Sequence, residues 1–243
     1  MGLHPFWLTP NGLFAITTVD GERYINFARS PLNSHVAASL SKDKHLTRLI
    51  LERNGIPNIP FTRPKTQQEA QSFLNLYGKI IAKPVAGSGS RDIHIITEAL
   101  QLRDLKIDQY ILEKYIQGEE LRYLVLNGDV IGVYQSKYGT SVQANRALQC
   151  ISSPQETWSP TIVTSAVRVA QVLGLSFAAV DYLTDASGRS YILEVNTTPD
   201  LKWFHQPSSG PAVDVARLFL EAILEDEAIA PISGSPQLTT QGI

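Results

Sequence analysis

Ala178-Ala179-Val180-Asp181-Tyr182, followed by Tyr191-Ile192-Leu193-Glu194-Val195-Asn196-Thr197-Thr198-Pro199, is the stretch whose reading decides the fold. Residues 176–184 and 189–195 are rich in β-branched and aromatic residues, and Asp185-Ala186-Ser187-Gly188 between them is turn chemistry. The pattern predicts a hairpin. A tight turn centred on Ala186 and Ser187 pairs Thr184 with Arg189 and sets Asp181 opposite Ile192. Strand side chains alternate, so Ile192, Glu194 and Asn196 are expected on the face of Asp181. A slip of one residue would send Asp181 to the other face. Three oxygen-bearing side chains on one face suit a hard divalent cation that carries a nucleotide's phosphates. The alternative is three solvated polar residues on an exposed strand. Against it, Ile192, Leu193 and Val195 make the strand apolar on both sides, where an unpaired carboxylate is costly.

Outward from this hairpin, Lys83-Pro84-Val85-Ala86-Gly87-Ser88-Gly89-Ser90-Arg91 ends a strand with a lysine and continues in a loop of small residues. Glycines let backbone N–H groups converge on phosphate oxygens, and a lysine at the strand end can reach the same charge. A P-loop would need Gly-Lys-Ser/Thr and a helix next, and neither follows. Lys44 is placed in the first turn of a helix, where the macrodipole favours acids, so it hints at an anion to hold. Tyr110-Ile111-Leu112-Glu113-Lys114-Tyr115-Ile116-Gln117-Gly118-Glu119-Glu120 is a strand running into a turn. Its backbone could offer a carbonyl and an N–H to a flat heterocycle, and Glu120 could accept from ribose hydroxyls.

With 243 residues, 43% of them hydrophobic, the chain can bury a sizeable core in one large domain or two lobes. The 21 basic and 23 acidic residues give a net charge of −2, with no basic run for nucleic acid or a membrane surface. No apolar run reaches membrane-span length and the N-terminus lacks a signal-like segment, so a cytoplasmic protein is expected. The single cysteine, Cys150, excludes an internal disulfide and reads as a small buried hydrophobe.

Along the rest of the chain, Leu13–Val19 and Arg23–Phe27 flank Asp20-Gly21 as a hairpin. A helix is expected from an N-cap at Ser41, with Leu46, Leu49 and Ile50 facing inward and Gly55 and Pro57 as its stop. Further helices are expected at 66–77, 98–105, 160–173 and 211–225. Strands are expected at 79–84, 92–97, 109–113, 120–127 and 129–135, the last two joined through Asn127-Gly128. Residues 138–158 read as loop. The fold class is α+β: a β-rich preface (1–40), a small lobe (41–112), a larger lobe with the cation site (113–226), and a loose tail (227–243).

In this order, the Asp-Lys helix start, the Lys-Pro strand with its Gly/Ser loop, Glu-Lys-Tyr-Ile, the distant Asp181 and Glu-Val-Asn-Thr-Thr-Pro resemble the ATP-grasp superfamily over roughly residues 40–225. Within it, the likeness is to enzymes such as ribosomal-protein glutamate ligase, cyanophycin synthetase and glutathione synthetase. The resemblance implies two lobes clasping ATP. Lys44 and Lys83 would hold the α- and β-phosphates, with Gly87, Ser88, Gly89 and Ser90 as a lid. Glu113, Lys114, Tyr115 and Ile116 would line the adenine, and Glu120 would take the ribose. Asp181, Glu194 and Asn196 would hold two Mg²⁺ ions, or Mn²⁺ in their place. Arg122 and Asn145 match polar positions near the acyl-phosphate.

The implied reaction phosphorylates a small-molecule or peptide carboxylate with ATP and lets an amine displace the phosphate to form an amide. An ATP-grasp kinase and a non-catalytic ATP-binding regulator are the alternatives. There are two departures from the family pattern. Asp200 stands where a glycine usually follows the proline, and only about 40 residues precede Lys44, against a substrate domain of ~100 residues. A truncated N-terminal substrate domain therefore implies that substrate selection uses a minimal N-terminal hairpin, an oligomer partner or a protein that presents the substrate.

Overall fold

The computed structural model describes residues 4–9, 12–18, 21–26, 30–86, 92–138 and 148–226. An antiparallel meander comes first, in the order β1 (His4–Trp7), β2 (Leu13–Thr18) and β3 (Gly21–Asn26). Thr18 pairs with Gly21, so Gly21 already belongs to the strand. Two helices follow end to end, α1 (His35–Lys42) and α2 (Lys44–Arg53). Ser41, the expected cap, is a buried residue of α1 that donates to the Ala37 carbonyl at 2.9 Å. The caps are Ser34 for α1 and Asp43 for α2, whose carboxylate accepts from the Leu46 N–H at 2.9 Å. Helix α1 escaped periodicity because it buries only Ala37 and Ser41, residues too small to make an apolar stripe.

Next come β4 (Phe61–Thr62), α3 (Gln67–Tyr77), β5 (Ile80–Pro84), β6 (His94–Ile96), α4 (Ala99–Arg103) and β7 (Tyr110–Lys114). The strands form an antiparallel sheet in the order β4-β7-β5-β6, with α3 and α4 closing a core around Leu74, Ile80, Leu102 and Leu112. The larger sheet is built from β8 (Gly118–Leu126), β9 (Asp129–Tyr138), β10 (Leu148–Ser152), β11 (Phe177–Asp185) and β12 (Ser190–Asn196), in the order β10-β9-β8-β11-β12. Between β8 and β9, Asn127 and Gly128 both take positive φ, as a two-residue hairpin turn requires. Strand β10 lies where loop is expected; its inward residues are Cys150 and Ser152, so hydropathy carries no alternation there.

The two faces of the large sheet are covered differently. On one, Tyr123, Val125, Val180, Tyr182 and Val195 pack with α5 (Pro160–Val172) and with Ala37 and Leu51 of α1 and α2. On the other, Leu124, Tyr134, Phe177 and Ala179 pack with Phe204 of α6 (Lys202–His205), Phe219 of α7 (Val215–Glu225), and Ile16 and Ile25 of the meander. Helices α1 and α2 thus belong to the core of the larger sheet, not to the small lobe in which residues 41–60 are expected. Among the described residues, no helix is long and apolar enough to cross a membrane.

Candidate active site

The hairpin of β11 and β12 forms with a register that differs from the expected one. Gly188 takes a left-handed φ of +81°, Gly188 N–H bonds to Asp185 O, and Asp185 N–H bonds to Arg189 O, so the turn takes one more residue and Thr184 pairs with Ser190. That slip alone would have reversed Asp181. A bulge at Leu193 inserts a second residue and restores the face: Asp181 pairs with Glu194, and Ala179 with Asn196. Ile192 is the one expected neighbour that turns away, joining Tyr182 and Val180 in the opposite core.

Register partners across the sheet bring Tyr134, Arg122, Asp181 and Glu194 into one transverse row on β9, β8, β11 and β12. Arg122 grips Asp181 with a two-pronged fork, Nε to Oδ1 and Nη2 to Oδ2, both at 2.6 Å, and its Nη2 lies 4.0 Å from Glu194. Asp181 is fully buried, which pushes its carboxyl up to about 7; the Arg122 fork opposes the rise, and the charges of Glu194 and Glu120 add to it. Asn196 donates to Glu194 Oε1 at 2.8 Å. Glu120, two residues before Arg122 on the same face, is partly buried and its carboxyl is raised, chiefly by that burial.

On the small-sheet side, Lys83 and Glu113 are diagonal neighbours on adjacent strands, Lys83 opposite Ile111 and Glu113 opposite Ile81, with Nζ 2.7 Å from Oε2. Arg48, which no motif marks, takes the other oxygen, Nη2 to Oε1 at 2.8 Å. Burial would raise the Glu113 carboxyl, but Arg48 and Lys83 hold it below the usual carboxylate range. This contribution to stability is therefore present at neutral pH and is lost as the pH falls through that depressed value. Lys44 is the first residue of α2, and its N–H is held by the Val85 carbonyl at 3.0 Å, which sets it beside the end of β5. Burial lowers the Lys44 pKa, while Glu194 opposes that shift and Lys83 reinforces it, so three elements converge electrostatically.

Of the expected inward face of α2, Ile50 packs against the core and the other two residues do not. Leu46 and Leu49 are exposed, whereas Thr47, Arg48 and Leu51 are buried. The spacing Lys44, Arg48, Leu51 is itself a helical stripe and was the available signal; two cations in it concealed a face that looks onto a site. Tyr115 and Ile116 form the connection from β7 to β8, with the Tyr115 N–H on Lys79 O and the Lys79 ammonium 3.8 Å from the Tyr115 ring centre. Lys114 N–H bonds to Pro60 O at 2.9 Å. Both carboxylate oxygens of Glu113 are on cations. Asp200 is exposed and accepts from the Lys202 N–H at 2.9 Å, starting the short helix α6. Gly87, Ser88, Gly89, Ser90 and Asn145 lie outside the described residues.

Asp181, Glu194 and Asn196 make an oxygen donor set with two carboxylates, the chemistry that suits Mg²⁺. Among the described residues no three His, Cys, Asp or Glu side chains converge for a metal, and the third member here is an amide. Glu194, with 42% of its side chain exposed, is the carboxylate presented to the cleft, while Asp181 is committed to Arg122. The set fits the ion in kind.

Known proteins share both this sequence pattern and this architecture. The probable alpha-L-glutamate ligase of Alkalilimnicola ehrlichii is 26% identical over 212 residues, 79% of this chain and 67% of its own. The ribosomal protein bS6–L-glutamate ligase of Salmonella newport is 26% identical over 208 residues, again covering 79% and 67%. Among solved structures, the ATP-grasp ligase PsnB complexed with minimal precursor superposes with a TM-score of 0.68 at 20% identity, over 79% of this chain and 62% of its own. The bifunctional glutathione synthetase from Pasteurella multocida gives 0.67 at 15% identity, over 92% and 42%. At those identities the structures share the fold. The chain spans about two thirds of the curated relatives and less of these solved chains. A family model, the RimK-like ATP-grasp domain, matches residues 41–223, from the cap region of α2 through α7. The chain belongs to the RimK-like ATP-grasp family.

Proposed function

We propose that this chain is an ATP-dependent carboxylate–amine ligase that forms an amide through an acyl phosphate. One observation carries the reading: the backbone of Lys44 is bonded to Val85 at the end of β5, and Arg48 of the same helix bonds to Ile192 of β12. Helix α2 thereby sets Lys44 and Lys83 near the Arg122–Asp181–Glu194 row as one charged site, in which Lys44 feels Glu194 and Lys83. Phosphoryl transfer asks for positioning and charge neutralisation rather than a protein nucleophile, and this site offers both. Lys44 and Lys83 neutralise the nucleotide phosphates. The family pattern assigns Gly87, Ser88, Gly89 and Ser90 to the lid over them. The main chain at Lys114–Ile116 meets the adenine, with Tyr115 and Ile116 as apolar cover, and Glu120 accepts from the ribose.

Glu194, Asp181 and Asn196 hold Mg²⁺, two ions or Mn²⁺ in their place, which when bound screens the phosphate oxygens and favours transfer to a carboxylate. Arg122, held by Asp181, faces the acyl-phosphate oxygens, and the family pattern assigns Asn145 to the same group. The curated relatives are named as L-glutamate ligases, so L-glutamate is the first amine to test and a peptide C-terminus the first carboxylate. A partner chain or an oligomer completes substrate recognition, and the cytoplasm, where ATP is supplied, is the site of action.

The test is ADP release from Mg·ATP across amino acids, peptides and other carboxylates, with Glu194→Ala as control. Release that needs both a carboxylate and an amine, and vanishes in the control, supports the ligase. Release with hydroxyl acceptors alone would replace it with a kinase. ADP release that the control leaves untouched would remove the site.

A further inference from the structure

Arg48 is 3% exposed, and its polar contacts reach two other parts of the fold. Its guanidinium reaches Glu113 Oε1 through Nε at 2.9 Å, Asn58 Oδ1 at 3.2 Å, the Ile192 carbonyl at 2.6 Å and the Leu193 carbonyl at 2.8 Å. Asn58 in turn donates to the Arg48 carbonyl at 2.8 Å. One side chain on α2 therefore ties the small sheet to the bulge in β12 that restores the face of Glu194.

The charges matter more than the ties. Glu113 is 1% exposed and Lys83 6%, and they touch at 2.7 Å. Alone, they would be a neutral buried pair, and the lysine's field in the cleft would be cancelled at close range. Arg48 takes Oε1 while Lys83 takes Oε2, so two cations share one anion and a net positive charge remains.

We propose that Arg48 is a positioning residue that offsets the charge of Glu113, so that a net positive field at Lys83 remains for the nucleotide phosphates. Arg48 touches neither nucleotide nor metal ligand side chains in this role. It acts through Glu113 on Lys83, and through the Ile192 and Leu193 carbonyls on the strand that carries Glu194. The inference rests on the reading of Lys83 as a phosphate-binding residue.

The experiment is ADP binding in the presence of Mg²⁺ by calorimetry, for the wild type, Lys83→Ala, Arg48→Met, Arg48→Lys and the double variant Arg48→Met/Glu113→Gln. Arg48→Met should weaken ADP by about tenfold, whereas Arg48→Lys, which keeps the charge, should stay within about threefold. The double variant removes one cation and one anion, leaving the net charge as it was, so its affinity should return to within about threefold of wild type even as its Tm falls further. A merely structural Arg48 would make the two losses add. Affinity in the double variant no better than in Arg48→Met would overturn the proposal, as would wild-type affinity in Arg48→Met alongside a weakened Lys83→Ala. Should Arg48→Met not fold, Arg48→Lys and the double variant decide, and a loss beyond about tenfold in either rejects the charge offset. Unchanged binding in Lys83→Ala would instead sink the phosphate role of Lys83, and this inference with it.

Discussion

Along β8, Leu124 and Leu126 join Phe177, Phe204 and Phe219 in an apolar core, while Arg122 and Glu120, earlier on the same face, stand among charges. Strand, face and pleat are shared by these two halves; what differs is what covers them. Helices α6 and α7 and the meander cover the first half with Phe204, Val215, Phe219, Ile16 and Ile25. Beyond that cover the face turns polar, and its side chains pair among themselves: Arg122 with Asp181, and Asn196 with Glu194. The first half gives the sheet its stability and the second its chemistry. A charged row can persist in a sheet only because every member found a partner, since an unpaired charge at the depth of Asp181 would neutralise or unfold.

That division can be broken from either side. The largest effect is expected from Phe177→Ala, which empties a fully buried site against Phe219, whose ring centre is 4.7 Å away. It should cost about 3–5 kcal/mol in urea melts while leaving nucleotide binding by the folded fraction intact. Glu194→Ala should do the reverse, lowering ADP release by about 10²-fold or more with only a small change in Tm. A variant that lost both in proportion would mean that the halves are not separable. Gly132→Ala sharpens the boundary, because a Cβ there would meet the Phe204 ring at 2.8 Å. Overpacking of this kind should cost about 1–3 kcal/mol, read as a shift in the urea midpoint. The smallest effect is expected at exposed Asp200, where Asp200→Ala removes only the bond to the Lys202 N–H and should cost below about 1 kcal/mol. A large change in amine preference with that variant, measured by ADP release, would place Asp200 in the acceptor site.

The hairpin of β11 and β12 shows how far a sequence can be read. Its existence and the common face of Asp181, Glu194 and Asn196 followed from composition and alternation. The register followed from neither: a longer turn and a bulge at Leu193 each shift it by one in the same direction, so Asp181 regains its face opposite Glu194, two residues beyond the expected Ile192, while Ile192 turns to the other face. Bulges leave little trace in hydropathy. Helix α2 was legible only in part, since the rule that apolar residues face inward chose Leu46, Leu49 and Ile50; Ile50 does pack inward, but the buried residues are Thr47, Arg48 and Leu51. The rule misleads where a helix lines a charged site.

By itself, the sequence determined the α+β class, most of the strands, the common face of Asp181, Glu194 and Asn196, and the placing of Lys44 at a helix start and Lys83 at a strand end, because each rests on local spacing or on turn chemistry within a few residues. The tertiary structure alone decided that Arg48 and Lys83 share Glu113, that Arg122 closes on Asp181, and that α1 and α2 belong to the core of the larger sheet. Those facts depend on residues 65 and 144 positions apart meeting in space. No periodicity encodes such a meeting; a buried charge finds its partner only when the whole fold brings it there.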